Sequence, residues 1–317
     1  MEKIITLTFS PCIDKSTSVK GLVPEKKLSC APPVLEPGGG GINVARALNK
    51  LGSEAIAVFP SGGYTGQFFN HLLEKEEISS RIIQSVNETR ENIIVLDEST
   101  NNQYRFGMPG TTLLEEEWKK CLEIIANEEG ITYIVASGSL PPGVPKDIYA
   151  QLARIAKQQN AKLVVDTSGE ALRHASEEGV FLLKPNLSEL ASLAGKSEID
   201  NAGIYQAARQ VISNGGCEAM LVSMGASGAV LFTKDIATLF TPPPVKRLST
   251  VGAGDSMVAG MVCYLSRQKN IEDAAAYAVA CGSAATMNHG TQLCNKKDAD
   301  YLFPQIHRIP FNSTLEL

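Results

Sequence analysis

The 317 residues carry 44% hydrophobic and 20% charged side chains and a formal net charge of −5, the balance expected of a globular chain with one large core. That charge speaks against nucleic acid as the main partner, and no apolar run is long enough to span a bilayer, so no membrane partner is expected. Seven scattered cysteines without a C-x-x-C pair, and four histidines far apart, speak against a zinc site or a disulfide framework and fit a reducing compartment.

In chain order, "KIITLTF" is β-branched and apolar, as a buried strand should be. The opening "MEKIITLTFS" therefore reads as a strand rather than a signal peptide, and the expected location is the cytoplasm. "GINVARALNKLG" reads as a helix with Val44, Ala45, Leu48 and Leu51 on one face and Gly52 as its stop. "EAIAVFP" follows as a strand and "TGQFFNHLLEKEE" as a helix. Farther on, "ITYIVASG", "KLVVDTSG" and "FLLKP" alternate with the helical "PKDIYAQLARIAKQQ", "EALRHASEE" and "NLSELASLAG". Such alternation predicts a parallel sheet covered on both faces. "EAMLVSMG", "GAVLFT" and "ATLFTPP" break it and predict antiparallel pairing at one edge, and the chain from Gly254 onward is mostly helical. Residues 12–36 and the run "RIIQSV…NIIVLD…NQYRFGM" between 81 and 108 carry strand-like pieces without helices, and are expected to form a small second sheet. The tail after about residue 304 is assigned nothing.

Ligands of such sheets sit beyond the carboxyl ends of the strands, where Asp14, "PGGGG", "SGSLPPG", "DTSG", "KPNLSE" and "SMGASG" fall. In "STVGAGDSMVAG", N–H groups at a helix start can surround an anion, and Asp255 can take a proton from an alcohol attacking phosphorus. A glycine turn with an acid in the first helical turn is the plainer account. In "PGGGGINVARAL", the glycines admit a ligand to the main chain and Asn43 can bond sugar hydroxyls both ways. A dinucleotide loop, and with it an oxidoreductase, would need G-x-G-x-x-G just after the first strand, which is not where these glycines stand. Asn186 and Glu189 can orient phosphate-bound Mg²⁺ or simply form a capping box. "SMGASGAV" is either a nucleotide-lining loop or a hairpin turn. Arg90, Arg105 and Lys27 can clamp a sugar phosphate or lie on an exposed charged edge.

The order of "GGGGINVARALNKLG" and "STVGAGDSMVAG" resembles the ribokinase-like carbohydrate kinases of the phosphofructokinase B family, from about residue 1 to about residue 300. "YRFGMPG", "SGSLPPGV", "DTSGEAL", "PPPVK" and "GSAAT" are similar to its phosphosugar branch, which commonly lacks the acid that many members carry where Ser249 stands. The resemblance implies a single domain over 1–317: a three-layer α/β/α sandwich with a mostly parallel central sheet and a small β-sheet lid at about 12–36 and 81–108. It implies ATP-dependent phosphorylation of the 1-hydroxyl of D-fructose 6-phosphate, with Mg²⁺ and a monovalent cation such as K⁺. Tagatose 6-phosphate and fructose 1-phosphate are alternative acceptors, and a non-catalytic sugar-phosphate sensor is the alternative of another class. Asp255 matches the catalytic base, and the main chain of Gly252, Ala253 and Gly254 the anion hole. Asp14, Lys27, Gly38, Gly39, Asn43, Arg90 and Ser139 fall on the sugar side, and Lys184, Asn186, Glu189, Ser223, Gly225 and Gly228 on the nucleotide side. Ser249, Val251, Ala285, Asn288, Gly290 and Gln292 match a cation loop built largely of carbonyls, within segments 249–251 and 285–292; close relatives can carry arginine at the last position. The lid is also the implied contact of a homodimer.

Overall fold

A computed structural model describes residues 2–288 and 290–313, so residue 289 of the expected cation loop, and residues 1 and 314–317 of the chain, lie outside the described residues. The elements run β1 (Lys3–Leu7), β2 (Cys12–Val19), β3 (Val34–Gly38), α1 (Gly40–Lys50), β4 (Ile56–Ser61), α2 (Gly63–Lys75) and β5 (Ser80–Gln84). Next come β6 (Arg90–Asp97), β7 (Asn102–Phe106), α3 (Glu115–Asn127), β8 (Ile131–Ser137), α4 (Ile148–Gln158), β9 (Lys162–Asp166), α5 (Gly169–Glu178) and β10 (Val180–Leu183). The last part holds α6 (Leu187–Leu193), α7 (Asn201–Ser213), β11 (Cys217–Ser223), β12 (Ala229–Thr233), β13 (Ala237–Thr241), α8 (Ala253–Leu265), α9 (Ile271–Thr286), α10 (Lys296–Leu302) and β14 (His307–Pro310).

The large sheet has the order β14-β13-β12-β11-β10-β9-β8-β1-β4-β5. From β11 to β5 every pairing is parallel, while β12, β13 and β14 add antiparallel at one edge, as the broken rhythm predicts. Strand side chains alternate between two apolar layers: Tyr133 and Val135 of β8 pack with α1, α8 and α9, while Ile134 and Ala136 pack with α3 to α5. This is the expected three-layer sandwich. Helix α1 departs from the one-faced pattern, because Ile42, Asn43, Arg46 and Ala47 are as buried as Val44, Ala45 and Leu48. It lies between β1 and α8, so it has no wet side until its last turn.

The small sheet is β3-β2-β6-β7, with β2 and β6 parallel over eight residue pairs. One expected part of it belongs elsewhere. Residues 81–84 lie in β5, which pairs parallel with β4 at the edge of the large sheet. Helix α2 before it makes an ordinary β-α-β crossover, and a short apolar run alone does not say which sheet it will join. The unassigned tail adds β14 to the opposite edge through Leu239↔Ile309 and its neighbours.

The glycines before α1 are first a packing device. A Cβ on Gly41 would lie 2.5 Å from the Leu7 carbonyl oxygen, and one on Gly40 would lie 2.3 Å from Ser137 Oγ. Only bare backbone lets the head of α1 press against the carboxyl ends of β1 and β8. Gly41→Ala is therefore expected to destabilise the fold by about 1–3 kcal/mol, seen as a lower urea midpoint at an unchanged slope.

Candidate active site

Helix α8 begins without a side-chain cap, so the N–H groups of Ala253, Gly254 and Asp255 have no partner inside the helix and its positive end stays open. Gly252 turns the chain into that end at φ 72°, and a Cβ there would strike Leu293 Cδ2 at 2.4 Å. Asp255 stands in the first turn. Its Oδ2 accepts from Asn43 Nδ2 at 2.9 Å, and its Oδ1 from Ser137 Oγ at 3.5 Å. Burial, then the nearby charge of Asp166, push its pKa up to about 6, against the pull of Asn43, Lys184 and Ser137. Asn43 keeps its Oδ1 buried and without a hydrogen-bond partner, an acceptor that a hydroxyl group would satisfy.

On one side of this acid sits Lys184, 5% exposed, just past the end of β10. Burial alone would lower its pKa, but Asp166 Oδ1 at 3.1 Å outweighs that and holds the ammonium above its ordinary value. A Cβ on Gly254 would lie 3.5 Å from Lys184 Nζ, so the cation stands beside the open helix end. Asn186 and Glu189 do form the capping box: Glu189 N–H donates to Asn186 Oδ1 at 2.9 Å, and Asn186 N–H to Glu189 Oε2 at 2.8 Å. Burial raises the Glu189 pKa. Ser223 N–H donates to the Pro185 carbonyl at 2.9 Å, which brings the ends of β10 and β11 together. Gly225 (φ 59°) and Gly228 (φ 93°) shape the turn into β12, where a Cβ on Gly228 would meet the Phe240 carbonyl oxygen at 1.9 Å. The plainer alternatives at these positions are thus realised, and of these residues Glu189 is near enough for its charge to act on Lys184.

On the other side, Asp14 of β2 is 6% exposed and lies so close to β3 that a Cβ on Gly38 would meet its Oδ2 at 2.4 Å. Asp14 Oδ1 accepts from Asn92 Nδ2 at 2.9 Å, and burial raises its pKa against that bond and the Arg90 charge. Arg90 donates to the carbonyls of Met108 (2.8 Å) and Ser10 (3.2 Å), while its Nε is buried without a partner. Gly39, at φ 107°, packs where a Cβ would crowd Thr8 and Pro11. Arg105, in the strand after, reaches from the lid to Thr250 Oγ1 at 2.7 Å, two residues before Gly252. Lys27 and Ser139 are not drawn into this cluster: both are exposed, in the connections after β2 and β8, and no contact described joins either to it.

The expected cation loop comes together from two directions. Ser249 Oγ donates to the Gly290 carbonyl (3.0 Å), Ser249 N–H to the Thr286 carbonyl (3.2 Å), and Asn288 Nδ2 to the Leu293 carbonyl (2.8 Å). Val251 N–H bonds back to Ser249 Oγ, and Asn288 N–H to the Ala285 carbonyl. The Gln292 carbonyl accepts from Lys50 Nζ, so a metal cation at that oxygen would compete with an ammonium. Asp166, Ser137, Asn92, Glu36 and Arg46 were not singled out from the sequence. Asp166 and Ser137 had a signal, since they open "DTSG" and "SGSLPPG" at the carboxyl ends of strands. A cavity of about 1130 Å³ lies at the amino ends of β9, β10 and β11, across the sheet from these groups.

An acid at an open helix head, with a buried lysine beside it at the carboxyl edge of a doubly covered sheet, defines a phosphoryl-transfer class of enzyme. The chain belongs to the pfkB family of carbohydrate kinases, whose model matches residues 8–298. It is 41% identical over 309 residues to the ATP-dependent 6-phosphofructokinase isozyme 2 of Escherichia coli, covering 97% of this chain and 100% of that one. Solved structures of the E. coli phosphofructokinase-2 in complex with fructose-6-phosphate (39% identity, TM-score 0.91) and with potassium (41%, 0.92) each cover 96% of this chain and 99% of theirs. The fold is ribokinase-like, as the paired glycine motifs implied.

Because Asp255 ionises near 6 in the fold, against an ordinary 3.8, its charge destabilises the native state as pH rises through that range and not below it. Asp255→Asn is expected to gain melting temperature relative to the native chain at pH 8 and to lose that advantage at pH 4. An equal difference at both pH values would contradict the burial argument.

Proposed function

We propose that this chain is an ATP-dependent 6-phosphofructokinase that phosphorylates the 1-hydroxyl of D-fructose 6-phosphate to fructose 1,6-bisphosphate. The observation that carries the reading is Asp255 at the uncapped head of α8, bonded to Asn43 and tuned toward neutrality. In this reading Asp255 takes the proton of the 1-hydroxyl as its oxygen attacks the γ-phosphorus. The N–H groups of Gly252, Ala253 and Gly254, with Lys184, receive the charge gathering on the phosphoryl oxygens. Asp14, Gly38, Gly39, Asn43 and Arg90 hold the sugar, Arg105 supports its phosphate, and Lys27 and Ser139 join once the lid closes. The nucleotide lies over Asn186, Ser223, Gly225 and Gly228.

Bound with the nucleotide, Mg²⁺ would supply charge neutralisation on its phosphates. Among the described residues no group of three or more His, Cys, Asp or Glu side chains is placed to hold a metal ion; Asp166 and Glu189 would be the carboxylates to hold it, with the nucleotide phosphates supplying the other oxygens. The carbonyls of Ser249, Val251, Ala285, Asn288 and Gly290 are a neutral donor set, suited to K⁺ rather than to a divalent ion. No helix among the described residues is long and apolar enough to cross a membrane.

Side-by-side ADP-release assays should favour fructose 6-phosphate over tagatose 6-phosphate and fructose 1-phosphate, with an acid limb of kcat/KM near pH 6. Asp255→Asn should still bind ATP and lose roughly 10²–10⁴ of turnover. Preference for another of the three sugars would change the substrate, and sugar binding without ADP formation would make the chain a sensor.

The lid also supports a homodimer. Ile93 and Phe106 are cross-strand partners and Tyr104 lies two residues along the same face, all exposed. Phe106→Glu is expected to shift sedimentation from dimer toward monomer, and an unchanged mass would place the contact elsewhere.

A further inference from the structure

The root of the lid and the proposed cation loop meet at one carboxylate. Glu36, in β3, accepts through Oε2 from the Thr291 N–H at 3.1 Å and from the Thr291 hydroxyl at 2.7 Å. Its Oε1 lies 3.5 Å from Nη2 of Arg46, which is 2% exposed. Arg46 in turn donates to the Pro37 carbonyl at 2.8 Å and the Thr291 carbonyl at 3.4 Å, and grips Glu76 through two bonds of 2.8 and 2.7 Å. Gly290, at φ 58°, is wedged against two of the four lid strands: a Cβ there would lie 3.2 Å from Glu36 Oε2 of β3 and 3.4 Å from Ser16 Oγ of β2. The same Gly290 offers its carbonyl to Ser249 Oγ. One side of Glu36 therefore touches the loop assigned to the cation. The other leads, two residues on, to Gly38, which is packed on Asp14.

A carboxylate held by two donors from one short loop fixes the distance between that loop and its own strand. If ordering the loop around a cation moves Thr291, β3 must follow or the bonds break. We propose that Glu36 is a positioning residue that couples monovalent-cation binding at the 249–251 and 285–292 loop to phosphosugar binding at the lid. The inference rests on the proposed sugar and cation sites, but assigns a role to a residue outside both. Coupling of this kind is reciprocal: whatever factor the cation adds to sugar affinity, the sugar adds to cation affinity.

The test needs no turnover. Calorimetry without nucleotide would give the fructose 6-phosphate Kd in KCl and in tetramethylammonium chloride of equal ionic strength, for the native chain, Glu36→Gln and Thr291→Val. Native protein is expected to bind the sugar at least about fivefold more tightly in K⁺, the lower end of usual allosteric couplings. Glu36→Gln should bring that ratio close to one while the sugar still binds, and Thr291→Val, which removes a single donor, should fall between. A native ratio of one, or a ratio unchanged in both variants, overturns the coupling. Phosphorylation of fructose 6-phosphate by the native chain in KCl distinguishes that failure from failure of the functional reading. Absence of sugar binding in either salt overturns both.

Discussion

The 2.9 Å hydrogen bond from Asn43 to Asp255 joins the heads of two helices that are 212 residues apart in the chain. Both helices point their positive ends at the carboxyl edge of the large sheet, and both are preceded by a glycine at the cap position. A charged acid there is favoured by two helix dipoles and two donors, yet opposed by burial and by Asp166. The opposition wins by enough to leave the group titrating near neutrality, the range in which a carboxyl can accept a proton and release it again. Everything else about the cleft is arranged around keeping that balance.

Lys184 is the second half of the balance. Its ion pair with Asp166 keeps an ammonium charged where burial would otherwise strip it, within reach of the open end of α8. In the proposed reading Lys184 and a fringe of N–H groups face the incoming phosphate, against carboxylates that would repel it were they not bonded or partly neutral. Glu189 is bonded by its capping box and Asp255 is held near neutrality.

The glycine runs illustrate the same double duty. "PGGGG" was legible as a loop that admits a ligand to the main chain, but the physical demand visible in three dimensions is close packing: Gly38 on Asp14, Gly40 on Ser137, Gly41 on β1. The capping box at Asn186 and the hairpin glycines of "SMGASG" were legible as structure, and that is what they are. Asn92 and Glu36 were invisible as site residues because nothing in their local sequence distinguishes them from other polar residues of the small sheet. The assignment of 81–84 to the lid failed for a related reason: four residues of β-prone sequence carry a periodicity and no address.

By itself the sequence determined the layered α/β architecture, the antiparallel edge, the paired glycine motifs and the presence of an acid in the first turn of a glycine-led helix, because hydrophobic periodicity, turn chemistry and helix-start patterns are local properties. Tertiary structure decided which sheet each short strand joined, that α1 is buried all round, and that Asp255 ionises near 6. It also decided that Glu36 bridges the lid and the 290–291 loop across 255 residues of chain. Burial, electrostatic neighbourhood and long-range contact depend on what the folded chain brings alongside, and no run of adjacent residues contains that information.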